Sequence, residues 1–250
     1  MSAWAAASAE IDSEAGTGVV ANLAGVQARV AAIAPTATLI AVSKTKPLSS
    51  IAAAFSAGHR DFGENYVQEL VDKAASVAES NLEIRWHFIG RLQSNKAKLL
   101  CTTPNLHAVH TVHNEKIAAA LQKHWLDVRG PEASPLRVFI QVNTSGEEQK
   151  GGCEPAEAPA LATVVRDAPN LDLVGLMCIG KYSGAEGDAS PDFRVLRERR
   201  AAVAEELGVD QDNLALSMGM SHDFETALEH GATHVRVGST IFGARVYSQE

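Results

Sequence analysis

The stretch Thr38-Leu-Ile-Ala-Val-Ser-Lys-Thr-Lys-Pro47 decides the fold, because it is an apolar, β-prone run that ends in polar residues. It predicts a buried strand that carries Lys44 to its end, where barrels of alternating strands and helices place their reactive groups. Lysine titrates near ~10.4 in solution, so a dry core or a neighbouring cation must favour the neutral amine before it attacks an aldehyde. Lys44 is therefore a candidate for a Schiff base. An exposed lysine at a strand end is the plainer interpretation.

Further apolar runs follow at intervals of roughly 20 to 40 residues, and helical patterns fill most of the gaps. These runs cover residues 61–63, 85–89, 107–112, 137–143, 172–178, 214–217 and 234–237. A helix is predicted over residues 19–33, before Ala34-Pro35. Eight apolar strands alternating with helices predict a single α/β domain folded as a (β/α)8 barrel. A doubly wound open sheet is the alternative, but no Gly-x-Gly-x-x-Gly turn follows the first strand.

Composition indicates one soluble domain that takes a small-molecule partner. The chain has 250 residues, of which 46% are hydrophobic, and we expect a flexible segment over residues 1–18 followed by the barrel over 19–250. The net charge of −8 argues against a nucleic-acid or anionic-membrane surface. The N-terminal segment lacks the basic residues of a targeting signal, and no apolar run reaches membrane-spanning length. We therefore expect cytoplasmic residence.

The three cysteines, Cys101, Cys153 and Cys178, form no Cys-x-x-Cys pair. An odd number of cysteines cannot all pair within one chain, and their spacing suits a reducing compartment. We expect free thiols.

The last two predicted strands each run into a turn of glycine and hydroxyl residues. Such turns offer backbone N–H groups and hydroxyl donors to an anion, and the loops after strands seven and eight are the usual phosphate site of these barrels. The candidate phosphate ligands are Ser217, Gly219, Ser221, Gly238, Ser239 and Thr240. For Ser221 the plainer interpretation is an N-terminal helix cap.

Arg236 and Asn65 complete the candidate site. If Val235 and Val237 point outward, strand alternation points Arg236 into the barrel, where it can face a ring nitrogen. Asn65 follows the second strand and is expected at the rim of the ligand. Its neighbours Glu64 and Tyr66 fit a loop that bonds its own backbone at least as well. His87 is a possible pocket wall.

Two other arrangements resemble a metal site and a catalytic triad in sequence, but their geometry argues against both. His107, His110 and His113 are spaced by three, but on a regular strand His110 faces opposite to the other two, so no metal site is expected. Ser221-His222-Asp223 are consecutive, and the side chains of a catalytic triad must converge in space.

Several blocks of this sequence resemble the pyridoxal-phosphate homeostasis protein family. They lie in the family's order and cover the chain from about Leu39 to Arg245. The blocks are residues 41–47, 62–69, 86–90, 142–147, 175–177, 216–221 and 235–243. The resemblance implies a barrel like the N-terminal domain of alanine racemase, without the added C-terminal β domain. The departures from the family pattern are Cys178, where a hydroxyl or small residue is expected, and the loop over residues 181–191.

The resemblance further implies that pyridoxal 5′-phosphate (PLP) is held as an internal Schiff base on Lys44. A role in intracellular PLP homeostasis then follows, in which the protein buffers or delivers PLP without established turnover, with apo PLP-dependent enzymes as possible partners. An arginine on the ring nitrogen leaves that nitrogen unprotonated and makes the ring a weaker electron sink, which suits a carrier. We expect a monomer, because no heptad or large apolar stripe marks an interface.

The rival interpretation is an amino-acid racemase on the same barrel. Two-base racemisation needs a second base, which alanine racemase takes from a tyrosine of its added domain. The tyrosines here are Tyr66, Tyr182 and Tyr247, and none lies in such a domain. A pure protein-interaction module is a third class, but it leaves Lys44 and the two anion-binding turns unexplained.

Overall fold

Eight parallel strands close into a barrel in the computed structural model, which describes residues 2–11, 13–78, 80, 82–181 and 190–244. Each strand pairs with the next, and the last pairs with the first. The strands are β1 Thr38–Val42, β2 Asp61–Glu64, β3 Arg85–Phe88, β4 Leu106–Val112, β5 Leu136–Gln141, β6 Leu171–Met177, β7 Ala215–Ser217 and β8 His234–Val237. The predicted (β/α)8 barrel is confirmed, and each predicted strand is present with ends shifted by one or two residues at most.

Helices cover the outside of the barrel. They are α1 Ala3–Ser8, α2 Glu14–Ile33, α3 Leu48–Ser56, α4 Val67–Ala78, α5 Ala97–Cys101, α6 Glu115–Arg129, α7 Ala158–Arg166, α8 Ser190–Leu207, α9 Phe224–Glu229 and α10 Ser239–Phe242. The main core lies between these helices and the outer faces of the strands, where Val235 and Val237 are fully buried. The inside of the barrel holds a second apolar cluster of Ala108, Phe139 and Met177.

Part of the N-terminal stretch that was expected to be flexible, residues 1–18, is helical. Helix α1 lies within it, and the Trp4 side chain packs edge-on against Phe55 of α3, with ring centroids 5.7 Å apart. Helix α2 begins at Glu14 because the Ser13 hydroxyl accepts the Gly16 N–H at 3.1 Å, an N-terminal cap. The described residues of this segment thus form capped and packed helices, while the expected flexibility of residues 1–18 stays a prediction. The domain boundary at residue 19 stays a prediction.

A register shift in β4 alters which histidines face the barrel interior. Trp86 pairs with Leu106 and His87 pairs with Ala108, so His107 is one extra residue on β4, as in a β-bulge. The rings of both His107 and His110 consequently contact His87, at 5.1 and 5.2 Å between centroids. The prediction that strict alternation separates His107 from His110 is wrong, because a bulge breaks the period of two.

Neither a metal site nor a membrane-spanning helix is found among the described residues. They contain no group of three or more His, Cys, Asp or Glu side chains placed to hold a metal ion. In the same part of the chain, no helix combines the length and apolar character needed to cross a membrane.

Candidate functional site

A cavity of about 330 Å³ opens at the carboxyl ends of the strands, the end where barrels of this type bind ligands. Its lining combines apolar and cationic side chains with loop residues of β7 and β8. The lining residues are Val42, Lys44, Lys46, Asn65, Ile89, Met177, Ile179, Met220, Ser221, His222, Arg236, Gly238, Ser239 and Gly243. The structure thus brings together six of the predicted site residues, namely Lys44, Asn65, Ser221, Arg236, Gly238 and Ser239.

Lys44 lies in a tight turn directly after β1. The next residue, Thr45, adopts a left-handed backbone with φ of 61°, which is costly for a β-branched side chain. The Thr45 N–H donates to Oε1 of Glu69 at 2.6 Å, and the same oxygen accepts from Lys73 Nζ at 2.7 Å. Lys73 also donates to the Ser43 carbonyl at 2.8 Å. Helix α4 therefore holds the backbone on both sides of Lys44.

Glu64 does not reach the pocket. Its side chain is fully buried, and Oε1 accepts from the Ser43 hydroxyl at 2.6 Å and from Lys73 Nζ at 2.8 Å. Burial raises the pKa of the Glu64 carboxyl, although the charge and hydrogen bond of Lys73 act in the opposite direction. Tyr66, the other neighbour of Asn65, is 55% exposed on the surface. Of the three residues at the end of β2, only Asn65 lines the cavity.

Asn65 is held against the backbone of Gly90. A Cβ atom placed on Gly90 would lie 1.9 Å from the Asn65 carbonyl oxygen, so only glycine fits at this position. The Oδ1 atom of Asn65 is buried and has no hydrogen-bond partner within the described part of the chain. A buried polar atom without a partner is costly, so a ligand that donates to this amide would relieve the cost.

The turns after β7 and β8 lie next to each other at the cavity. The Gly238 N–H donates to the Ser221 hydroxyl at 3.1 Å, and the Thr240 hydroxyl donates to the Ser221 carbonyl at 3.5 Å. Ser221 of the first turn and Gly238 and Ser239 of the second all line the cavity. Ser221 therefore joins the two turns, and the bond to Gly238 replaces the plain helix cap weighed for it.

Three predicted phosphate ligands lie outside the cavity lining. The Ser217 hydroxyl is fully buried inside the barrel, because the last residue of β7 turns inward. Gly219 has φ of 92°, and a Cβ there would lie 2.5 Å from the Cβ of Ala227, so this glycine permits close packing against α9. Thr240 belongs to α10, and its hydroxyl donates to the Ser221 carbonyl.

Arg236 is only 4% exposed and points into the barrel, as strand alternation predicted. Its Nη1 donates to the Ser217 hydroxyl at 2.7 Å, and its Nη2 donates to the Cys178 carbonyl at 2.8 Å. Burial lowers the pKa of the guanidinium, but arginine keeps its charge in proteins. The cavity therefore has a fixed cation at its floor.

The charge of the lining suits an anion. Lys44, Lys46 and Arg236 contribute cations, and none of the described residues that line the cavity is an aspartate or glutamate. Lys46 Nζ donates to the Ala244 carbonyl at 2.7 Å at the rim, and burial lowers the pKa of its amine. A phosphorylated ligand would gain from this lining.

Cys178, one of the two departures from the expected family pattern, lies outside the cavity lining. The Cys178 thiol is fully buried, its backbone carbonyl supports Arg236, and burial raises the pKa of the thiol to about 12. Residues 182–189 of the variable loop lie outside the described residues, as do Tyr182 and Tyr247. Cys101, Cys153 and Cys178 are all free and buried, which confirms the prediction of free thiols.

Sequence reasoning missed several lining residues. Ile89, Met177, Ile179 and Met220 form apolar walls, and Lys46 and His222 complete the rim. The strand-end positions of Ile89 and Met177 were a usable signal, since the residues at the carboxyl ends of barrel strands face the ligand. His87, the possible pocket wall, instead lies below the cavity within the barrel.

A (β/α)8 barrel with a lysine after β1, an inward arginine on β8 and neighbouring turns after β7 and β8 defines a class of protein. The family model for the alanine racemase N-terminal domain matches residues 19–246. The chain is thus a barrel of the alanine racemase N-terminal class.

Within that class, the chain belongs to the family of pyridoxal phosphate homeostasis proteins. The protein of that name from Caenorhabditis elegans is 50% identical over 215 residues, which are 85% of this chain and 87% of the relative. The corresponding protein of Pseudomonas aeruginosa is 43% identical over 236 residues, 92% of this chain and 96% of the relative.

A solved structure agrees with this assignment. The structure of PipY from Synechococcus elongatus with PLP bound superposes with a TM-score of 0.74 at 30% identity. The match covers 90% of this chain and all of the PipY chain.

Proposed function

We propose that this protein binds PLP in the cavity at the carboxyl ends of the strands and serves PLP homeostasis by buffering or delivering it. The observation that carries the proposal is the convergence of a lysine, a buried arginine and two donor-rich turns on one cavity. The names of the relatives and the PLP bound by PipY support it.

The residues present fit PLP group by group. Lys44 would hold the aldehyde as a Schiff base, and Arg236 would face the pyridine nitrogen. Ser221, Gly238 and Ser239 would hold the phosphate, with Thr240 supplying a backbone N–H that has no acceptor within its own helix. The unpartnered Oδ1 of Asn65 would accept from a donor on the ring. Ser217 and Gly219 would not contact PLP. Ser217 would hold Arg236, and Gly219 would let the turn after β7 pack closely against α9.

Storage and delivery suit this geometry better than turnover. PLP supplies an electron sink for carbanion chemistry when its ring nitrogen is protonated. Arg236 is a donor that cannot be deprotonated in a protein, so it would keep a facing ring nitrogen as an acceptor. Reversible imine exchange with an amine or an apo-enzyme needs no such sink. Apo PLP-dependent enzymes are the proposed recipients, and the protein is proposed to be a cytoplasmic monomer.

Absorbance spectroscopy of the purified protein tests PLP binding and its attachment point. Wild type with PLP should be yellow, and borohydride reduction should fix a pyridoxyl group on the peptide that contains Lys44. Lys44→Ala should form no such adduct. Lys46→Ala is the matched variant, because it removes a second cavity lysine two residues away and should still trap PLP on Lys44. A colourless wild type, or an adduct on Lys46 alone, would contradict the assignment.

The choice between carrier and enzyme needs a separate assay. The PLP-loaded protein should activate an apo PLP-dependent enzyme in the presence of an excess of an aldehyde scavenger that removes free PLP. The same preparation should not interconvert D- and L-alanine. Racemisation that persists in Lys44→Ala would indicate a contaminant, whereas racemisation lost in that variant would favour the racemase.

A further inference from the structure

A continuous chain of buried polar groups runs through the barrel below the cavity. It begins at Asp61, the first residue of β2, at the barrel end opposite the cavity. His87 Nε2 lies 3.0 Å from Asp61 Oδ1, and His87 Nδ1 lies 3.0 Å from His110 Nε2. His110 Nδ1 lies 2.9 Å from the Ser217 hydroxyl, which accepts from Arg236 at 2.7 Å.

The two ends of this chain fix the direction of every proton in it. The Asp61 carboxylate can only accept, so a neutral His87 must carry its proton on Nε2 and leave Nδ1 as an acceptor. His110 must then donate from Nε2 and accept at Nδ1. The Ser217 hydroxyl donates to that nitrogen, and its free lone pair receives Arg236, which can only donate. With neutral rings, every donor meets an acceptor in this one arrangement.

The charge states support this arrangement. Burial would raise the pKa of the Asp61 carboxyl, but hydrogen bonds and charge attraction from Arg85 and His87 outweigh it and hold that pKa well below its usual value. Burial lowers the pKa of His87 despite Asp61, and burial lowers the pKa of His110 further below its usual value. The positive charges of Arg137 and Arg85 act in the same direction on His87, and those of His234, Arg236 and His107 do so on His110.

The reversed arrangement is worse at both ends. It would set an unprotonated His87 nitrogen against the Asp61 carboxylate, so that two acceptors face each other. It would also turn His110 Nδ1–H toward Ser217, next to the Arg236 cation, and leave the serine proton without this acceptor. An unmade bond of this kind in a buried polar network is costly.

We propose that Asp61, His87 and His110 are positioning residues for Arg236, acting through the Ser217 hydroxyl from the opposite end of the barrel. They present a lone pair of Ser217 to the guanidinium and so fix the donors that remain for the ligand in the cavity. The effect on the ligand rests on the proposed binding of PLP. The direction of the hydrogen bonds is a property of the protein alone.

Nitrogen NMR of the apo-protein labelled with 15N-histidine tests the direction of the chain. At neutral pH, His87 and His110 should both be uncharged and carry their proton on Nε2, with signals assigned from His87→Gln and His110→Gln. A proton on Nδ1 of either ring, or a charged ring, would overturn the proposal. This measurement needs no PLP, so it stands or fails separately from the proposed function.

Asp61→Asn tests the effect on the cavity, because an amide of the same size can donate as well as accept. We expect altered ring-nitrogen signals at His110, which does not contact residue 61, and PLP affinity weaker by about tenfold, as for partners that orient a bound group from behind. Arg85→Gln is the matched control. It removes the bidentate partner of Asp61, at 2.7 and 2.5 Å, and leaves the carboxylate in place.

Arg85→Gln should change neither readout. If Asp61→Asn behaves like Arg85→Gln in both, the residue is only structural and the proposal fails. Should Asp61→Asn not fold, as judged by circular dichroism, His87→Gln would break the chain one link higher and be compared in its place. A wild type that binds no PLP would defeat the proposed function and leave the NMR result intact.

Discussion

The backbone N–H of Thr45 donates to the carboxylate of Glu69 at 2.6 Å, which ties the turn after Lys44 to helix α4. The turn has a left-handed residue at Thr45, a conformation that persists only where the surroundings hold it. Glu69 also pairs with Lys73, whose side chain is only 11% exposed. One carboxylate therefore supports the conformation next to the proposed PLP-binding lysine.

Glu69→Gln should destabilise the protein and weaken PLP binding together. The loss of a charged acceptor for both Thr45 and Lys73 is expected to lower the free energy of unfolding by about 1–3 kcal/mol. Urea denaturation and PLP titration by absorbance measure the two effects. Gln68→Ala, one residue away on the exposed face of α4, is the control and should stay within about 0.5 kcal/mol of wild type. Equal effects of the two changes would contradict the role of Glu69.

Gly90→Ala should be strongly destabilising. The new Cβ would lie 1.9 Å from the Asn65 carbonyl oxygen, so the backbone of one loop must move. We expect a loss above about 2 kcal/mol, measured by urea denaturation, and weaker PLP binding because Asn65 is displaced. Gly25→Ala provides a control of opposite sign. Gly25 lies exposed within α2 with open space around it, so alanine should stabilise by about 0.5–1 kcal/mol.

The thiols should be inert in the folded protein. Burial raises the pKa of Cys101, Cys153 and Cys178 to about 12 each, so the reactive thiolate is about one part in ten thousand at pH 8. Ellman's reagent should titrate all three only after denaturant is added. A fast reaction of any thiol in native buffer would show that its segment opens readily.

Stability should fall as the pH drops from about 6.5 towards 4. Burial lowers the pKa of His107 to about 4 and of His234 to about 3. In this pH window the unfolded chain binds protons that the folded chain does not. Each histidine therefore lowers the free energy of unfolding by at most about 1.4 kcal/mol for each pH unit of acidification. Urea denaturation at several pH values measures the slope.

His107→Gln should reduce that slope by the contribution of one histidine. Burial raises the pKa of Glu64, so at pH values just above the ordinary pKa of a glutamate this residue changes the free energy of unfolding in the opposite direction. This contribution is the same in both proteins and cancels in the comparison. An unchanged slope would show that His107 is protonated at the same pH in the folded and unfolded states.

The barrel could be predicted from the sequence because both faces of its strands are covered, which leaves long apolar runs between helical patterns. The inward direction of Arg236 followed from the simple alternation of β8, where no register shift intervenes. Alternation failed at His107, because a bulge is set by pairing with β3 and leaves no mark within β4 itself. Helix α1 was missed because its order depends on Trp4 meeting Phe55, a residue more than 50 positions away.

Part of the candidate site was equally hidden. Lys44 and the turns after β7 and β8 carry local patterns, whereas the chain from Asp61 to Ser217 joins polar residues on four strands. The sequence suggested separate interpretations for Ser217, His87 and His110, and none of them linked these residues to each other or to Asp61. The hydrogen bonds that join them depend on the distances between strands, and a single sequence does not reveal those distances.

The polar chain from Asp61 to Arg236 has a consequence for protein engineering. Barrels of this fold are commonly treated as modular, with loops at one rim exchanged for new binding properties while the opposite rim is left to maintain stability. In this protein, grafting the turns after β7 and β8 onto another barrel would transfer the donors without the groups that orient Arg236. A transplant that keeps its ligand preference would have to carry the interior of the scaffold with it.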